Sequence, residues 1–574
     1  MNLDFRNTNA LWCSVAAETL ARAGVRHAVI SPGSRNTPLT LALVAHPDIE
    51  TIPVLDERSA GFFGLGLAKR TGVPVILLCT SGSAGAHYLP ALIEAKESGV
   101  PLIAITADRP PELRDCASGQ TVDQQKLFGG YVGFFHELAV PEARVELLQY
   151  LRQTLRHAVE RARSGGPVHL NAPFRDPLVP VVDGTAQGLA AAVDWARFFA
   201  LPPIPPQAHP REQMFDRDFA AAPGVIVCGA GWGEEVETVF WAERLGWPIL
   251  ADALSPLRFR GAGGRAVIAA YDAILRDPRA AQALRPKSVL ILGEIPTSKP
   301  LRAWLTQADA DTIQIGRTVE NRDGRHGRTL RIAVGAATVN RWTLPHGVTP
   351  QPEWLAAWTR AEAAAQAVLA GAGDLTGFEG GFTRALARTL RRGQALFVAS
   401  SMPVRDLESF APARGDGPAV YANRGANGID GTLSTALGLA HGGVPTVLLT
   451  GDLAFLHDTN GLLSAAKLQG SLTVVLINNA GGGIFGHLPI AGFNPPFEEY
   501  WATPQRVDFA RLCTAYGVPH EGVGSAVDLA TRLEALVGVP GLRVLEVRTD
   551  RARDVEMRRD VLARAATAVG EAFG

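Results

Sequence analysis

The first third of the chain alternates short apolar runs with longer stretches of helical periodicity. Helix-like stretches such as PLTLALVAH (38–46) and SAGFFGLGLAKR (59–70) separate the runs. The apolar runs are RHAVI (26–30), TIPVL (51–55), VPVILLCT (73–80) and VPLIAITA (100–107). Strands that alternate with helices in this way form β-α-β units and a parallel sheet. The pattern therefore predicts a doubly wound α/β domain.

The same alternation returns twice further along the chain. A middle segment contains VIVC (225–228), SVLIL (288–292) and DTIQIG (311–316), and the last third contains ALFVAS, AVYAN, VPTVLLTG, SLTVVLIN and LRVLEVRT. Proline-rich stretches at 201–210 and 342–354 suit interdomain connections, because proline fixes the backbone and removes a hydrogen-bond donor. We expect three α/β domains with parallel sheets, at residues 1–190, 191–350 and 351–574.

Composition and charge narrow the class of protein. The 574 residues carry a formal net charge of -1, which gives no reason to expect nucleic acid or an anionic membrane as a partner. The first residues lack a basic segment followed by an apolar one, and no apolar run approaches the roughly 18 residues of a membrane span. Five cysteines without CxxC spacing give no disulfide or zinc pattern. We expect a cytoplasmic enzyme.

An acid and two amides lie at the ends of neighbouring apolar runs in the last third. Asp452 follows one run, Leu453–Leu468 is expected to form a crossover helix, and Asn478-Asn479 ends the next run. A right-handed crossover would bring Asp452 and Asn479 to the same sheet edge. With a backbone carbonyl they would offer three oxygen ligands to Mg²⁺, which would leave positions for phosphate oxygens. Taken alone, Gly-Asp after a strand is also a common turn.

The spacing of this pair resembles the signature of thiamine-diphosphate enzymes. After Gly451-Asp452-Leu453, 24 residues precede Asn478-Asn479, although the general signature has glycine where this chain has Leu453. Thiamine chemistry also needs a carboxyl group beside the aminopyrimidine ring, to promote the imino tautomer. Glu57, after TIPVL, fits this catalytic role. In isolation it also fits a first-turn acid favoured by the helix dipole.

Seven longer motifs resemble one family of this class, 2-succinyl-5-enolpyruvyl-6-hydroxy-3-cyclohexene-1-carboxylate synthase (SEPHCHC synthase) of menaquinone biosynthesis. They are SPGSRNTPL (31–39), DERSAGFFGLGLAKR (56–70), TSGSA (80–84), TADRPPELRDC (106–116), NAPFRDPL (171–178), NRGANGIDGTLSTA (423–436) and NNAGGGIFGHLP (478–489). In this family the third residue of the first signature is commonly not glycine. The resemblance implies an N-terminal pyrimidine-binding domain, a central domain and a C-terminal domain that binds diphosphate and magnesium.

The resemblance also implies a transferase reaction. Thiamine diphosphate and Mg²⁺, or Mn²⁺, would support decarboxylation of 2-oxoglutarate and conjugate addition of the succinyl carbanion to isochorismate, with release of CO2. Both substrates are dicarboxylates, so the site needs fixed cations. Arg35, Arg109, Arg405 and Arg424 each lie just beyond an apolar run, where ligand-binding loops of parallel sheets begin. Arginine binds carboxylates in a bidentate manner.

The resemblance assigns a role to each candidate residue. The implied isochorismate ligands are Ser34, Arg35, Arg109 and Lys299; the implied oxoglutarate ligands are Ser401, Arg405 and Arg424. Gln120 would form a hydrogen bond with the covalent intermediate. Ile429 would support the bent cofactor, and Ile484 and Phe485 would line the pocket. Asp452, Asn479 and the carbonyl of Gly481 would bind the metal. Because like domains hold the two halves, a homodimer or dimer of dimers with interfacial sites is expected.

Other functions remain open at this point. A pyruvate-using carboligase or decarboxylase resembling acetolactate synthase would share Glu57 and the metal motif, but it would need fewer arginines at strand ends. Some such enzymes bind FAD on the middle domain; VIVCGAGWG (225–233) has GxGxG rather than the GxGxxG of a dinucleotide turn. A non-catalytic homologue is the remaining alternative, and loss of Glu57, Asp452 or Asn479 would be its mark.

Overall fold

The structure is a computed structural model that describes residues 3–200, 216–233, 235–261, 266–316, 322–333, 344–493 and 496–573. Its contacts divide the chain into two compact units. Unit 1 comprises Met1–Pro205, Asn423–Gly442 and His457–Leu468; unit 2 comprises Pro206–Ala422, Gly443–Leu456 and Gln469–Gly574. The chain therefore passes from one unit to the other more than once.

Three six-stranded sheets form the framework, and all their strand pairs run parallel. The first sheet has the order β2-β1-β3-β4-β6-β5, with β1 His27–Ile30, β2 Glu50–Pro53, β3 Val75–Cys79, β4 Leu102–Asp108, β5 Phe134–Glu137 and β6 Val168–Pro173. The second has the order β12-β11-β10-β7-β8-β9, with β7 Gly224–Cys228, β8 Ile249–Ala251, β9 Val267–Ile268, β10 Ser288–Leu292, β11 Asp311–Gly316 and β12 Thr329–Ala333. The third has the order β14-β13-β15-β16-β18-β17, with β13 Ala395–Val398, β14 Ala419–Tyr421, β15 Thr446–Gly451, β16 Ser471–Asn478, β17 His520–Val523 and β18 Gly541–Arg548. These sheets confirm the predicted α/β fold.

Helices connect the strands in all three sheets. The first ten are α1 Thr8–Arg22, α2 Thr37–Val44, α3 Glu57–Thr71, α4 Leu89–Ser98, α5 Val145–Gly165, α6 Leu189–Ala192, α7 Trp195–Phe198, α8 Arg217–Ala221, α9 Glu235–Leu245 and α10 Pro256–Arg260. The others are α11 Tyr271–Ile274, α12 Pro278–Ala283, α13 Lys299–Ala308, α14 Pro352–Ala370, α15 Glu379–Thr389, α16 Met402–Phe410, α17 Thr432–Ala440, α18 Asp452–His457, α19 Phe509–Ala515, α20 Ala526–Leu536 and α21 Arg551–Glu571. Among the described residues, no helix is long and apolar enough to cross a bilayer.

The predicted domain bounds stay a prediction. Each sheet falls inside one predicted range, but the core of the second sheet continues beyond residue 350. Trp358 and Ala365 of α14 and Leu562 of α21 pack in one apolar cluster with Val225 and Ile291 of that sheet. The proline-rich stretch at 201–210 lies outside the described residues.

The prediction of one continuous helix over Leu453–Leu468 is wrong, because the structure has two separate helical segments there. The structure has α18 Asp452–His457, then Asp458, then a 3₁₀ segment, Thr459–Lys467. The Asp458 carboxylate accepts hydrogen bonds from the Ser434 backbone N–H (2.6 Å) and hydroxyl (3.0 Å) near the start of α17. This distant partner holds Asp458 in a non-helical conformation, and the helix ends there.

Two glycines let α3 and α17 cross closely in unit 1. A methyl group on Gly66 of α3 would overlap the Thr435 carbonyl, and one on Gly438 of α17 would overlap the Phe63 carbonyl. Each helix therefore lies against the backbone of the other. This contact fixes α3, which begins at Glu57, against α17, which begins shortly after Ile429.

Candidate functional site

The carboxyl ends of β15 and β16 place the predicted metal ligands side by side in unit 2. The two strands are adjacent and parallel, with Gly451 paired to Ile477. Asp452 follows β15 and is buried; one carboxylate oxygen accepts the Gly481 N–H at 2.8 Å and the other accepts the Leu453 N–H at 2.7 Å. Burial raises the pKa of Asp452 to about 6. A cation beside this carboxylate would offset the cost of its burial.

Asn479, in the turn that follows β16, supplies a second oxygen beside Asp452. Its amide nitrogen donates to Glu379 Oε1 at 2.8 Å, whereas its buried amide oxygen has no hydrogen-bond partner among the described residues. The Gly481 carbonyl accepts the Gly483 N–H at 2.9 Å, and a carbonyl oxygen has two lone pairs. A buried amide oxygen without a partner is costly, so the Asn479 oxygen fits a ligand to Mg²⁺.

Glycine is required at position 481 by both conformation and space. Its φ is 132°, a region that other residues rarely adopt, and a methyl group there would overlap the Ala502 carbonyl. Within the described part of the chain, no group of three or more His, Cys, Asp and Glu side chains could hold a metal. The candidate ligands are instead one carboxylate, one amide oxygen and one carbonyl, which suits a hard cation.

A cavity of about 690 Å³ in unit 2 contains several of the predicted substrate residues. Lys299 at the start of α13, Arg405 of α16 and Ile484 line it. Arg405 donates to the Ser401 carbonyl at 2.5 Å, and burial lowers the pKa of Arg405. Lys299 makes no ion pair with any described residue. A half-buried guanidinium, together with an ammonium that has no ion-pair partner among the described residues, can bind a small dicarboxylate in a cavity of this size.

The acids of this cavity are already occupied. Asp272 pairs with Arg276 at 2.9 Å and accepts the Ser298 hydroxyl at 2.6 Å. Burial, reinforced by nearby Asp252, raises the pKa of Glu408 to about 8, so this side chain does not add a full negative charge at neutral pH. The cavity therefore keeps an excess of positive charge for an anionic ligand.

In unit 1, the loops after β3 and β4 bring Arg109 and Gln120 together around Ser81, and Arg35, in the loop after β1, lies near Arg109. Arg109 donates to the Ser81 hydroxyl and to the Gln120 carbonyl (3.0 Å), while the Gln120 side chain donates to the Ser81 carbonyl at 3.0 Å. Arg35 donates to the Phe174 carbonyl at 2.9 Å. Burial, and then the nearby charge of Arg35, lower the pKa of Arg109. Arg35 also pairs with the exposed Asp176 at 3.4 Å, whereas Arg109 forms no ion pair with any described residue, so Arg109 keeps a charge for a carboxylate ligand.

Ser34 lies exposed in the loop that carries Arg35. Gln120 has a φ of 54°, and the exposed Gly119 precedes it. Ser81 belongs to the TSGSA motif, but its contact with Arg109 was not predicted. A hydroxyl after a buried strand is too common in sequences to have identified it.

Glu57 begins α3, as predicted, and is half-buried; its role beside the pyrimidine stays a prediction. Its carboxylate makes no hydrogen bond or ion pair with any described residue. Its charge nevertheless contributes to raising the pKa of the buried thiol of Cys79 and the buried hydroxyl of Tyr88, after burial itself. A carboxylate next to apolar surroundings and without a protein partner is available to a ligand.

Arg424 and Ile429 lie on a loop of unit 1 that a buried acid secures. The Glu94 carboxylate accepts the N–H groups of Gly425 (3.1 Å) and Ala426 (2.7 Å), directly after Arg424. Glu94 is only 3% exposed, and the sequence analysis missed it because it lies 331 residues from Gly425. Both predicted residues are half-buried, and the Ile429 carbonyl accepts the Thr432 hydroxyl at 2.8 Å.

The predicted residues thus form separate groups. Asn479 and Gly481 lie in the turn after β16 of unit 2, Asp452 directly after the adjacent β15 contacts that turn, and Phe485 follows it, half-buried. Lys299, Ser401, Arg405 and Ile484 belong to unit 2 as well, whereas Ser34, Arg35, Glu57, Arg109, Gln120, Arg424 and Ile429 belong to unit 1. The expected oxoglutarate ligands Arg405 and Arg424 therefore come from different units. Their roles stay predictions.

Two adjacent parallel strands end in an acid, an amide and a carbonyl, and α3 begins with a glutamate that has no partner among the described residues; these features fit the class of thiamine-diphosphate enzymes. Family models match in chain order: the thiamine pyrophosphate enzyme N-terminal TPP-binding domain at residues 14–127, the middle domain of thiamine pyrophosphate at 205–398 and the C-terminal TPP-binding domain at 411–547.

Curated relatives then specify the family. The chain is 46% identical to the SEPHCHC synthase of Synechococcus elongatus, over 98% of this chain and 97% of that protein. It is 45% identical to that of Trichodesmium erythraeum (98% and 99%) and 44% identical to that of Gloeothece citriformis (97% and 98%). The chain belongs to the SEPHCHC synthase family of thiamine-diphosphate enzymes, as the motifs predicted.

Proposed function

We propose that this chain catalyses the thiamine-diphosphate-dependent and Mg²⁺-dependent decarboxylation of 2-oxoglutarate and the addition of the resulting succinyl unit to isochorismate, giving SEPHCHC and CO2 for menaquinone biosynthesis. One observation carries this proposal. Beside Asp452, at the carboxyl ends of β15 and β16, the buried amide oxygen of Asn479 has no hydrogen-bond partner among the described residues. A pyruvate-using enzyme would need a less cationic cavity than the one that Lys299 and Arg405 line.

Each residue has a task that its surroundings support. Asp452, Asn479 and the Gly481 carbonyl would hold the metal and, through it, the diphosphate. The Glu57 carboxyl group would hydrogen-bond the pyrimidine ring, and Ile429 would support the bent shape of the cofactor. Thiamine diphosphate, when bound, supplies the carbon nucleophile that a 2-oxoacid needs for loss of CO2. Glu57 would hold the proton at the pyrimidine nitrogen that makes this possible.

The cations would bind and orient the two dicarboxylates. Arg35 and Arg109, with Ser34, would bind isochorismate, and Lys299 would contribute from the cavity in unit 2. Arg405 and Ser401 would bind the oxoglutarate side together with Arg424, while Gln120 would orient the reacting carbon. Ile484 and Phe485 would exclude water from the pocket. Apolar walls around fixed charges strengthen these contacts.

The direct test supplies the purified chain with Mg²⁺, thiamine diphosphate, 2-oxoglutarate and isochorismate, and follows isochorismate loss together with CO2 release. Pyruvate in place of 2-oxoglutarate is the control and should give little product. Glu57→Gln should keep the fold but slow proton exchange at C2 of bound thiamine diphosphate by about 10²- to 10⁴-fold. Wild-type exchange in this variant would contradict the role of Glu57.

We further propose a cytoplasmic homodimer, or a dimer of dimers, in which each site takes Glu57 from one subunit and Asp452 from the other. The family resemblance supports this arrangement. Co-expressed Glu57→Gln and Asp452→Asn chains test it, because a mixed dimer would regain one intact site. Random pairing should then restore about one quarter of the wild-type activity, although each variant alone is inactive. Sites built within one chain would restore none.

A further inference from the structure

A buried carboxylate in unit 2 contacts the candidate metal turn from a distant part of the chain. Glu379 is the first residue of α15 and is only 3% exposed. Its Oε1 accepts the Asn479 amide nitrogen at 2.8 Å and the Thr549 hydroxyl at 2.9 Å. Its own N–H donates to Asp554 Oδ1 at 2.9 Å. An acid in the first turn can stabilise a helix through the helix dipole alone, without hydrogen bonds to distant side chains. The contacts of Glu379 therefore indicate a further role.

The contact with Asn479 decides which end of the amide faces the turn. The amide nitrogen faces Glu379 in the structure, and an ionised Glu379 accepts only a donor, so it selects this orientation. The amide oxygen then faces the opposite way, where it is buried and has no partner among the described residues. A flipped amide would set its oxygen against the carboxylate and present N–H groups to a cation. Both consequences are unfavourable.

We propose that Glu379 is a positioning residue of the metal site, which holds the Asn479 amide in the one orientation that offers its oxygen to Mg²⁺. This inference rests on the proposed function, because it assumes that Asn479 binds the metal. Glu379 touches neither metal nor substrate and acts only through the Asn479 side chain. The Asp554 carboxylate accepts the backbone N–H of Glu379 and anchors this residue, and Thr549 is a second donor to the same Oε1.

The chain offers a variant pair that separates orientation from packing. Glu379→Gln keeps the size of the side chain but can donate as well as accept, so it permits both orientations of the Asn479 amide. Glu379→Gln with Asn479→Asp restores a single arrangement, since the amide introduced at position 379 donates to one carboxylate oxygen and leaves the other for the cation. Thr549→Val is the matched control, because it removes the other hydrogen bond to Oε1 and leaves Asn479 in contact with Glu379.

The test measures Mn²⁺ affinity by electron paramagnetic resonance, with saturating thiamine diphosphate and no substrate. We expect Glu379→Gln to weaken Mn²⁺ binding by about 10- to 100-fold. The double variant should recover most of the affinity, and Thr549→Val should stay within about threefold of wild type. Melting temperatures without metal identify a variant that merely unfolds.

The outcomes separate this inference from the proposed function. Wild-type chain that fails to bind Mn²⁺ with thiamine diphosphate would overturn both. Wild-type chain that binds, while Glu379→Gln binds equally well, would overturn the positioning role and leave the function standing. Loss of affinity that the double variant does not recover would also overturn it, because the effect would then come from packing rather than from amide orientation.

Discussion

Glu94 offers a sharp test of how unit 1 holds the loop that carries Arg424. Besides the N–H groups of Gly425 and Ala426, its carboxylate accepts the Ser98 hydroxyl at 2.6 Å and pairs with Lys69 at 3.3 Å. Glu94→Gln keeps one acceptor oxygen but turns the other into an amide that donates. At least one partly buried loop N–H then loses its partner.

The size of this effect follows from the bonds that are lost. An unsatisfied buried donor costs about 1–3 kcal/mol, and the remaining bonds lose the help of a full charge. Because these N–H groups are only partly buried, we expect the loop to open about 1–3 kcal/mol more easily, which corresponds to a roughly 10- to 100-fold increase in its open fraction. Because Arg424 precedes the anchored residues, KM for 2-oxoglutarate should rise while thiamine-diphosphate affinity changes little.

Native-state amide hydrogen exchange of the peptide around Gly425 and Ala426 measures the opening directly. A local measurement is needed because a protein of this size does not unfold in a single two-state step. Ser98→Ala is the control, because it removes one donor to Glu94 and leaves both loop bonds. If the two amides exchanged equally fast in Glu94→Gln and Ser98→Ala, the loop would not depend on the Glu94 charge.

Three further changes test other parts of the structure. Arg405→Ala should raise KM for 2-oxoglutarate about 10- to 100-fold while thiamine-diphosphate affinity stays within about threefold, and equal losses of both would refute its role. Gly438→Ala should lower the melting temperature by about 2–6 °C, because overlap with the Phe63 carbonyl outweighs the gain in helix propensity, and an unchanged Tm would refute the close crossing. Burial raises the pKa of Asp458 to about 7 from an ordinary value of 3.8. Between these two values the folded state keeps a proton that the unfolded chain releases. The free energy of unfolding therefore falls as the pH rises from about 4 to 7. Asp458→Asn cannot titrate and should lose less stability over that window; identical Tm slopes would contradict the shift.

Local pattern was sufficient for the strands that are long apolar runs, but it did not predict the partly exposed β5, β12 and β17. Runs such as VPVILLCT and SLTVVLIN are buried almost throughout as β3 and β16, because strands of a parallel sheet are covered on both faces. The crossover rule was also sufficient to predict that β15 and β16 pair, which places Asp452 near Asn479.

The features that could not be predicted from the sequence are contacts between residues far apart in the chain. The helix after Asp452 ends at Asp458 because of Ser434, 24 residues earlier. Asn479 is held by Glu379, 100 residues away, and Glu94 reaches across 331 residues. Such contacts leave no periodic trace, since a single buried acid in a helix resembles any other acid until its neighbours are known.

The close crossing of α3 and α17 has a consequence for dividing this protein into parts. Helix α17 lies within the stretch matched by the C-terminal family model, yet it packs with the N-terminal portion of the chain. A fragment that begins near residue 411 would leave the flat, glycine-lined side of α17 in water. Fragments cut at the family boundaries should therefore express poorly or aggregate. If a protease cuts the chain between the N-terminal portion and α17, we expect the two pieces to stay associated and to resist further digestion.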